Sequence, residues 1–230
     1  MVDMVRRRGR RGPRRAAERG QPPGDAAAQY ASMGWPVCLG AHPYRSARGS
    51  REPGRACSCD RVGCPAPGAH PVSPAWQMQA TVDLSVIQDW WETRPEANVI
   101  LVTGRVFDVL DVPLAAGTLA LERMEAAGAA AGPVARAGQD RMLFFVLTRG
   151  SPADEDEWWS SGLDCEPESV VEGLRWHCRD SYVPAPPSRA AGGEAARWLR
   201  VPQDHPLPDA LRLLEYLVDA CEVALARDQS

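Results

Sequence analysis

The sequence predicts an α/β domain, and three observations lead to this fold class. Two apolar runs rich in β-branched residues, Val99–Val102 and Val106–Val112, indicate strands joined by a glycine-containing turn that is compatible with a hairpin. Helical periodicity marks Val82–Thr93 before them and Pro208–Arg227 near the end of the chain. The hydrophobic content of 44% is enough to build a core between these elements.

Charge is distributed unevenly along the chain. The net charge is −4, yet residues 1–20 contain eight arginines against only Asp3 and Glu18. We expect residues 1–24 to form a disordered basic arm, either a nucleic-acid-binding segment or a solvated tail. Neither a secretory signal nor an apolar run of the roughly 20 residues that span a bilayer is evident. We therefore expect a cytoplasmic protein without a membrane partner.

The first elements follow from capping and turn signals. Ala26–Met33 is predicted as a short helix capped by Asp25, and Gly34–Val37 then enters the first strand. Asp83 is the predicted cap of the helix that follows the long loop.

The long loop His42–Pro74 contains a cluster of metal-ligand residues. Its ligand set has the spacing C-x-C-x4-C-x5-H and consists of Cys57, Cys59, Cys64 and His70. Three thiolates and one imidazole form a closed tetrahedral shell, which suits a structural zinc. In a chain of seven cysteines without an export signal, such a cluster indicates metal ligands rather than disulfides. The alternative is a flexible loop with free cysteines.

The second half continues with alternating helices and strands. We predict an Ala-rich helix over Gly117–Ala131, a turn and strand over Gly138–Val146, and an acidic helix within Ser151–Val171. The amphipathic C-terminal helix is expected to cover the sheet. The predicted organisation is a basic arm over 1–24, a domain over 25–204 with its metal loop at about 42–74, and the C-terminal helix region over 205–230.

Three ordered motifs carry a family resemblance. They are GWPV at 34–37, ATVDLSVIQDWWETRPEANVILVTG at 80–104, and YVPAPPS at 182–188. Together they resemble the Prim-Pol domain, the N-terminal domain of bifunctional DNA primase/polymerases, over roughly residues 26–201. This resemblance implies an archaeo-eukaryotic primase-like α+β fold: a mixed, mainly antiparallel sheet, flanking helices and a zinc-binding loop insertion.

The resemblance also implies where catalytic residues belong, and here the chain departs from the family. The family's Asp-x-Asp metal motif reads Asp111, Val112, Pro113, so the second carboxylate is missing. Aligning the family's Gly-Gly-x-His-x-x-Phe element on Phe145 places Met142 at the phosphate-contacting histidine. The third metal carboxylate corresponds to the region of Arg175. Asp111 is therefore interpreted as the remnant of a catalytic motif.

These departures predict a divergent, catalytically impaired member of the family that binds nucleic acid or nucleotide in replication, with DNA or a nucleotide as partner. Arg141 and Ser188 are the candidate nucleotide-binding residues. Two alternatives stay open: an active polymerase with Asp108 or Glu122 as substitute carboxylate, or a zinc-stabilised protein-interaction module. The expected cofactor is structural zinc, with Mg²⁺ or Mn²⁺ only in an active enzyme. No protein partner is identified.

Overall fold

The computed structural model describes residues 20–44, 56–59, 61–148, 171–190, 192 and 194–228. Most of the predicted basic arm and nearly all of the predicted acidic helix lie outside these residues. Within them, no helix is long and apolar enough to cross a membrane.

Five helices and ten strands make up the described part of the chain. The helices are α1 (Pro23–Ser32), α2 (Trp76–Gln79), α3 (Leu84–Thr93), α4 (Leu114–Ala126) and α5 (Ala210–Asp228). The strands are β1 (Val37–Gly40), β2 (Pro43–Tyr44), β3 (Ala56–Cys57), β4 (Asn98–Val102), β5 (Phe107–Pro113), β6 (Val134–Ala137), β7 (Arg141–Leu147), β8 (Arg175–His177), β9 (Tyr182–Ala185) and β10 (Arg197–Arg200).

The strands form two principal sheets, with the orders β1-β4-β9 and β10-β6-β7-β5-β8, and β2 pairs with β3 in the metal loop. All pairings between these strands are antiparallel. The predicted α+β class with a mainly antiparallel arrangement and flanking helices is thereby confirmed.

The two central apolar strands do not form the hairpin that their sequence permitted. β4 pairs with β1 and β9, whereas β5 pairs with β7 and β8, so the turn at Gly104 carries the chain from one sheet to the other. Gly104 has φ +79°, and a Cβ there would lie 2.2 Å from Arg179 Cα. Both edges of β4 already pair with other strands, so β4 has no free backbone N–H and C=O groups with which β5 could pair.

Two large cores lie on the two faces of the five-stranded sheet. One face packs on α4 and α5 through residues that include Leu110, Phe144 and Leu217. The other face packs on the three-stranded sheet, α1 and α3 through residues that include Val109 and Phe145. Side chains of β5 therefore alternate between the two cores, as the period of a strand requires. The C-terminal helix α5 lies on the first of these faces, with Leu213 and Leu217 buried in its core.

Of the two predicted N-terminal caps, Asp83 is confirmed and Asp25 is wrong. Asp83 caps α3, because its Oδ1 accepts hydrogen bonds from the backbone N–H groups of Ser85 and Val86. The Ser85 hydroxyl also donates to this oxygen, and this bond, followed by the two backbone bonds, lowers the pKa of Asp83. Helix α1, however, begins at Pro23 rather than Ala26, and Asp25 lies in its first turn. Proline suits the first helical position because its missing N–H would be unsatisfied there in any case.

Candidate functional site

Three thiols and one imidazole converge in the loop between β1 and α2. The ligand atoms of Cys57, Cys59, Cys64 and His70 all lie within 4.8 Å of one another. His70 Nε2 is 3.4 Å from Sγ of both Cys57 and Cys64. Zn–S and Zn–N bonds of tetrahedral zinc would hold such atoms roughly 3.6 Å apart. The cluster could therefore hold a metal such as zinc, and the predicted ligand set meets at one point.

The imidazole of His70 is oriented for this role. Its Nδ1 lies 2.8 Å from the carbonyl oxygen of Pro71. A carbonyl can only accept a hydrogen bond, so Nδ1 carries the proton and the Nε2 lone pair faces the thiols. The backbone N–H of Arg61 lowers the pKa of the Cys59 thiol to about 7, whereas burial raises the pKa of Cys64. The lowered value favours the thiolate, which is the ligand form.

A buried asparagine fastens this loop to the domain. Asn98, 4% exposed at the start of β4, donates from Nδ2 to the carbonyl oxygens of Gly68 at 2.7 Å and Arg189 at 2.8 Å. Its Oδ1 accepts from the backbone N–H of Arg189 at 3.0 Å. The metal loop and the turn that follows β9 are thus held by one side chain. Asn98 was not among the predicted site residues, although an amide at the start of a buried apolar strand must find hydrogen-bond partners.

A second group of polar side chains surrounds the end of β5. Arg141 Nε donates to Asp111 Oδ1 at 2.7 Å, and a terminal guanidinium nitrogen donates to the carbonyl oxygens of Asp111 and Gly173 at 2.9 Å each. His177 Nε2 lies 3.5 Å from Asp111 Oδ2. The Asp111 side chain is 9% exposed, so this carboxylate is largely screened from water by its partners.

Strand register sets which residues share the face of Asp111. Asp111 pairs with Arg175 on β8, and directly opposed residues of an antiparallel pair point to the same side. His177 follows at i+2 on that face. Pro113 occupies the i+2 position after Asp111 and pairs with Arg141. Among the described residues of β5, β7 and β8, Asp111 is the one carboxylate here, and two guanidinium groups neighbour it.

This donor set differs from a two-metal centre. Two divalent ions need several carboxylate oxygens with free lone pairs. Asp111 is instead engaged by Arg141, and Arg175 occupies the opposed position. Arg141 and Arg175 therefore place positive charge beside this carboxylate.

The structure places Met142, the residue aligned with the family's histidine, on the face of the sheet away from Asp111. Met142 pairs with Val112 and faces α4, where a Cβ on Gly117 would lie 2.7 Å from its sulfur. Arg141, one residue earlier, lies on the face of Asp111.

The substitute carboxylates do not reach Asp111. Asp108 pairs with Val146, faces the helix side of the sheet and accepts a hydrogen bond from Trp176 Nε1 at 3.2 Å. The pairing of β5 with β7 is continuous from Phe107 to Pro113, so no bulge turns Asp108 toward the other face. Glu122 is exposed on α4, which also packs on the opposite side.

Ser188 has contacts of a structural residue. Its side chain is buried, with 2% exposure, and its hydroxyl donates to the carbonyl of Val99 at 2.9 Å. The same oxygen accepts from the backbone N–H of Val99, also at 2.9 Å. The Ser188 hydroxyl thus bridges β4 and the turn after β9, and its nucleotide contact stays a prediction.

Comparison with known proteins adds one match. The family model of the bifunctional DNA primase/polymerase N-terminal domain, Prim-Pol, matches residues 27–210, which is most of the chain. A search of curated proteins found no significant match. The matched range includes the metal loop and every residue described around Asp111.

Proposed function

The chain belongs to the bifunctional DNA primase/polymerase N-terminal (Prim-Pol) family, and from this premise we propose that it is a catalytically impaired member that binds nucleic acid or nucleotide in replication. Membership supports a primase/polymerase-like function. The impairment and the binding role are the parts that this proposal adds.

The ion pair between Asp111 and Arg141 is the observation that carries the proposal. Phosphoryl transfer depends on metal ions that neutralise charge developing on the transferred phosphoryl group. The position that would supply a second carboxylate is Pro113, and the residue opposed to Asp111 is Arg175. Guanidinium groups can bind a phosphate bidentately, but they cannot hold the metal ions.

The binding part of the proposal rests on the positive charge around this face. Arg141 retains a partly exposed side chain, 21% accessible, and Arg175 is exposed. His177 lies on the same face, but its Nδ1 is 2.9 Å from Ser181 Oγ and its Nε2 faces Asp111, so the two arginines carry the proposed phosphate contact. These side chains support recognition of a phosphate of DNA or of a nucleotide.

The proposed cofactor is one structural zinc held by Cys57, Cys59, Cys64 and His70. The four protein ligands complete a tetrahedral shell and leave no open position, which is typical of structural sites rather than catalytic ones. Bound zinc would cross-link this loop and stabilise its fold, since the loop has few apolar side chains to bury.

The decisive experiment is template-dependent nucleotide incorporation by the purified full chain with Mg²⁺ or Mn²⁺. We expect no incorporation above that of an Asp111→Asn variant, together with measurable binding of DNA or nucleotide by filter retention. Incorporation by the wild type that Asp111→Asn abolishes would overturn the impairment. Lack of affinity for single strands, duplexes and nucleotides would overturn the binding role and favour the zinc-stabilised interaction module.

A further inference from the structure

A groove on the outer side of the three-stranded sheet lies apart from the Asp111 face. Its first cavity, of ≈ 500 Å³, is lined by residues that include Leu39, Val72, Trp76, Trp90 and Arg94. A neighbouring cavity, also of ≈ 500 Å³, shares Val72 and Arg94 and extends to His42 and Ser58 beside the metal loop. We call the two cavities together the Trp groove.

The walls of the Trp groove combine two indoles with one cation. Trp76 belongs to α2 and Trp90 to α3, and both are partly exposed. Trp76 is held edge-on against Tyr182, with ring centroids 5.1 Å apart. Arg94 is exposed at the position common to both cavities. Aromatic faces next to a guanidinium are the elements that bind single-stranded nucleic acids.

From these residues we propose that the Trp groove binds two successive bases of a single-stranded nucleic acid, with Arg94 at the phosphate between them; this rests on the proposed nucleic-acid-binding function. A base must leave its stack to enter such a cavity, so a single strand fits and a duplex does not. Two cavities that meet at one cation match the alternation of base and phosphate along a strand.

One acidic residue also lines the groove. Glu96 lies at the second cavity, where His42 Nε2 is 3.7 Å from its carboxylate. A carboxylate repels a phosphate, so the Glu96→Gln substitution is expected to tighten binding.

The test uses the full chain and a fluorescein-labelled oligothymidylate of about 12 nucleotides, within the range of single-strand site sizes. Fluorescence anisotropy is measured for the wild type, Trp90→Leu and Arg94→Glu. The matched controls are Met78→Ala, 86% exposed on α2, and Arg123→Glu, exposed on α4. An unlabelled duplex serves as competitor.

We expect Trp90→Leu to weaken binding roughly tenfold, because base–aromatic stacking is lost. Arg94→Glu should weaken binding and reduce the slope of log K against log salt by about 0.7, the value for one phosphate contact of a single strand. Both controls should match the wild type. Since Arg94 is exposed, its variant tests the proposal even if Trp90→Leu fails to fold.

Unchanged affinity and salt slope in Arg94→Glu would overturn the Trp groove and leave the proposed function standing. Stronger competition by the duplex than by an unlabelled single strand would also overturn it. Failure of the wild type to bind any nucleic acid or nucleotide would instead contradict the proposed function itself.

Discussion

Arg141 binds Asp111 twice, through the side-chain carboxylate at 2.7 Å and through the main-chain carbonyl at 2.9 Å. The same guanidinium reaches the carbonyl of Gly173, which lies two residues before the first residue of β8. One side chain on β7 therefore connects β5 with the segment leading into β8. At the Asp111 carboxylate, this arginine therefore forms a cross-link between strands.

Removal of Arg141 should destabilise the domain. In Arg141→Met the Asp111 carboxylate, 9% exposed, loses its cation, and breaking such a pair typically costs about 3 kcal/mol. The double variant Asp111→Leu/Arg141→Met should lose less stability than Arg141→Met, since it leaves no unpaired charge. The free energy of unfolding in urea measures both. A double variant that is less stable than Arg141→Met would contradict this account.

The strand pairings explain which parts of this site the sequence could predict. Cys57, Cys59, Cys64 and His70 lie within one loop, so their residue types and order, together with the family resemblance, predicted a common metal site. The neighbourhood of Asp111 depends on which strand lies on each side of β5, and β8 is distant in sequence. Met142 and Arg141 are neighbours on β7 and face opposite sides of the sheet, and the apolar run alone does not show which of them shares the face of Asp111.

The elements themselves were easier to predict than their pairing. Apolar runs located β4 and β5 to within about one residue, and Asp83 was recognisable as a helix cap. Nothing in these two apolar runs showed that the turn at Gly104 connects two different sheets and does not form a hairpin. That outcome depends on β1 and β9, which occupy both edges of β4.

Metal removal should affect the loop and spare the five-stranded sheet. We expect one zinc per chain by mass spectrometry of the purified protein, and its loss in Cys64→Ser. Hydrogen exchange of residues 56–74 should then accelerate, because β2 and β3 form only a two-residue pairing. Exchange across β5 should stay slow, since its side chains are buried in both cores. Cys178→Ser, which leaves the four ligands intact, is the matched control.

Alanine substitutions at two loop glycines should distinguish the cost of backbone strain from the cost of a steric clash. Gly68 has φ +81°, and a Cβ there would lie 2.4 Å from the Arg189 carbonyl oxygen. Gly63 has φ +70°, with nothing within 4 Å of its Cβ position. Gly63→Ala should therefore cost only the conformational strain, about 1 kcal/mol. Gly68→Ala should cost clearly more and also weaken zinc retention against a chelator, because Asn98 binds the Gly68 carbonyl. Equal losses of stability would contradict the close approach of Gly68 to Arg189.

Restoring acidic residues around Asp111 should restore affinity for a divalent ion. Arg175 is opposed to Asp111, and Pro113 follows Asp111 at i+2, so Pro113→Asp/Arg175→Asp would place three carboxylates on one face. Carboxylate oxygens are the ligands that Mn²⁺ and Mg²⁺ prefer. In calorimetric titration with Mn²⁺, we expect no binding at this face of the wild type and one added site in the double variant. Glu122→Gln, on the far side of the sheet, should behave as the wild type. Wild-type Mn²⁺ binding that Asp111→Asn abolishes would show that Arg141 does not neutralise this carboxylate.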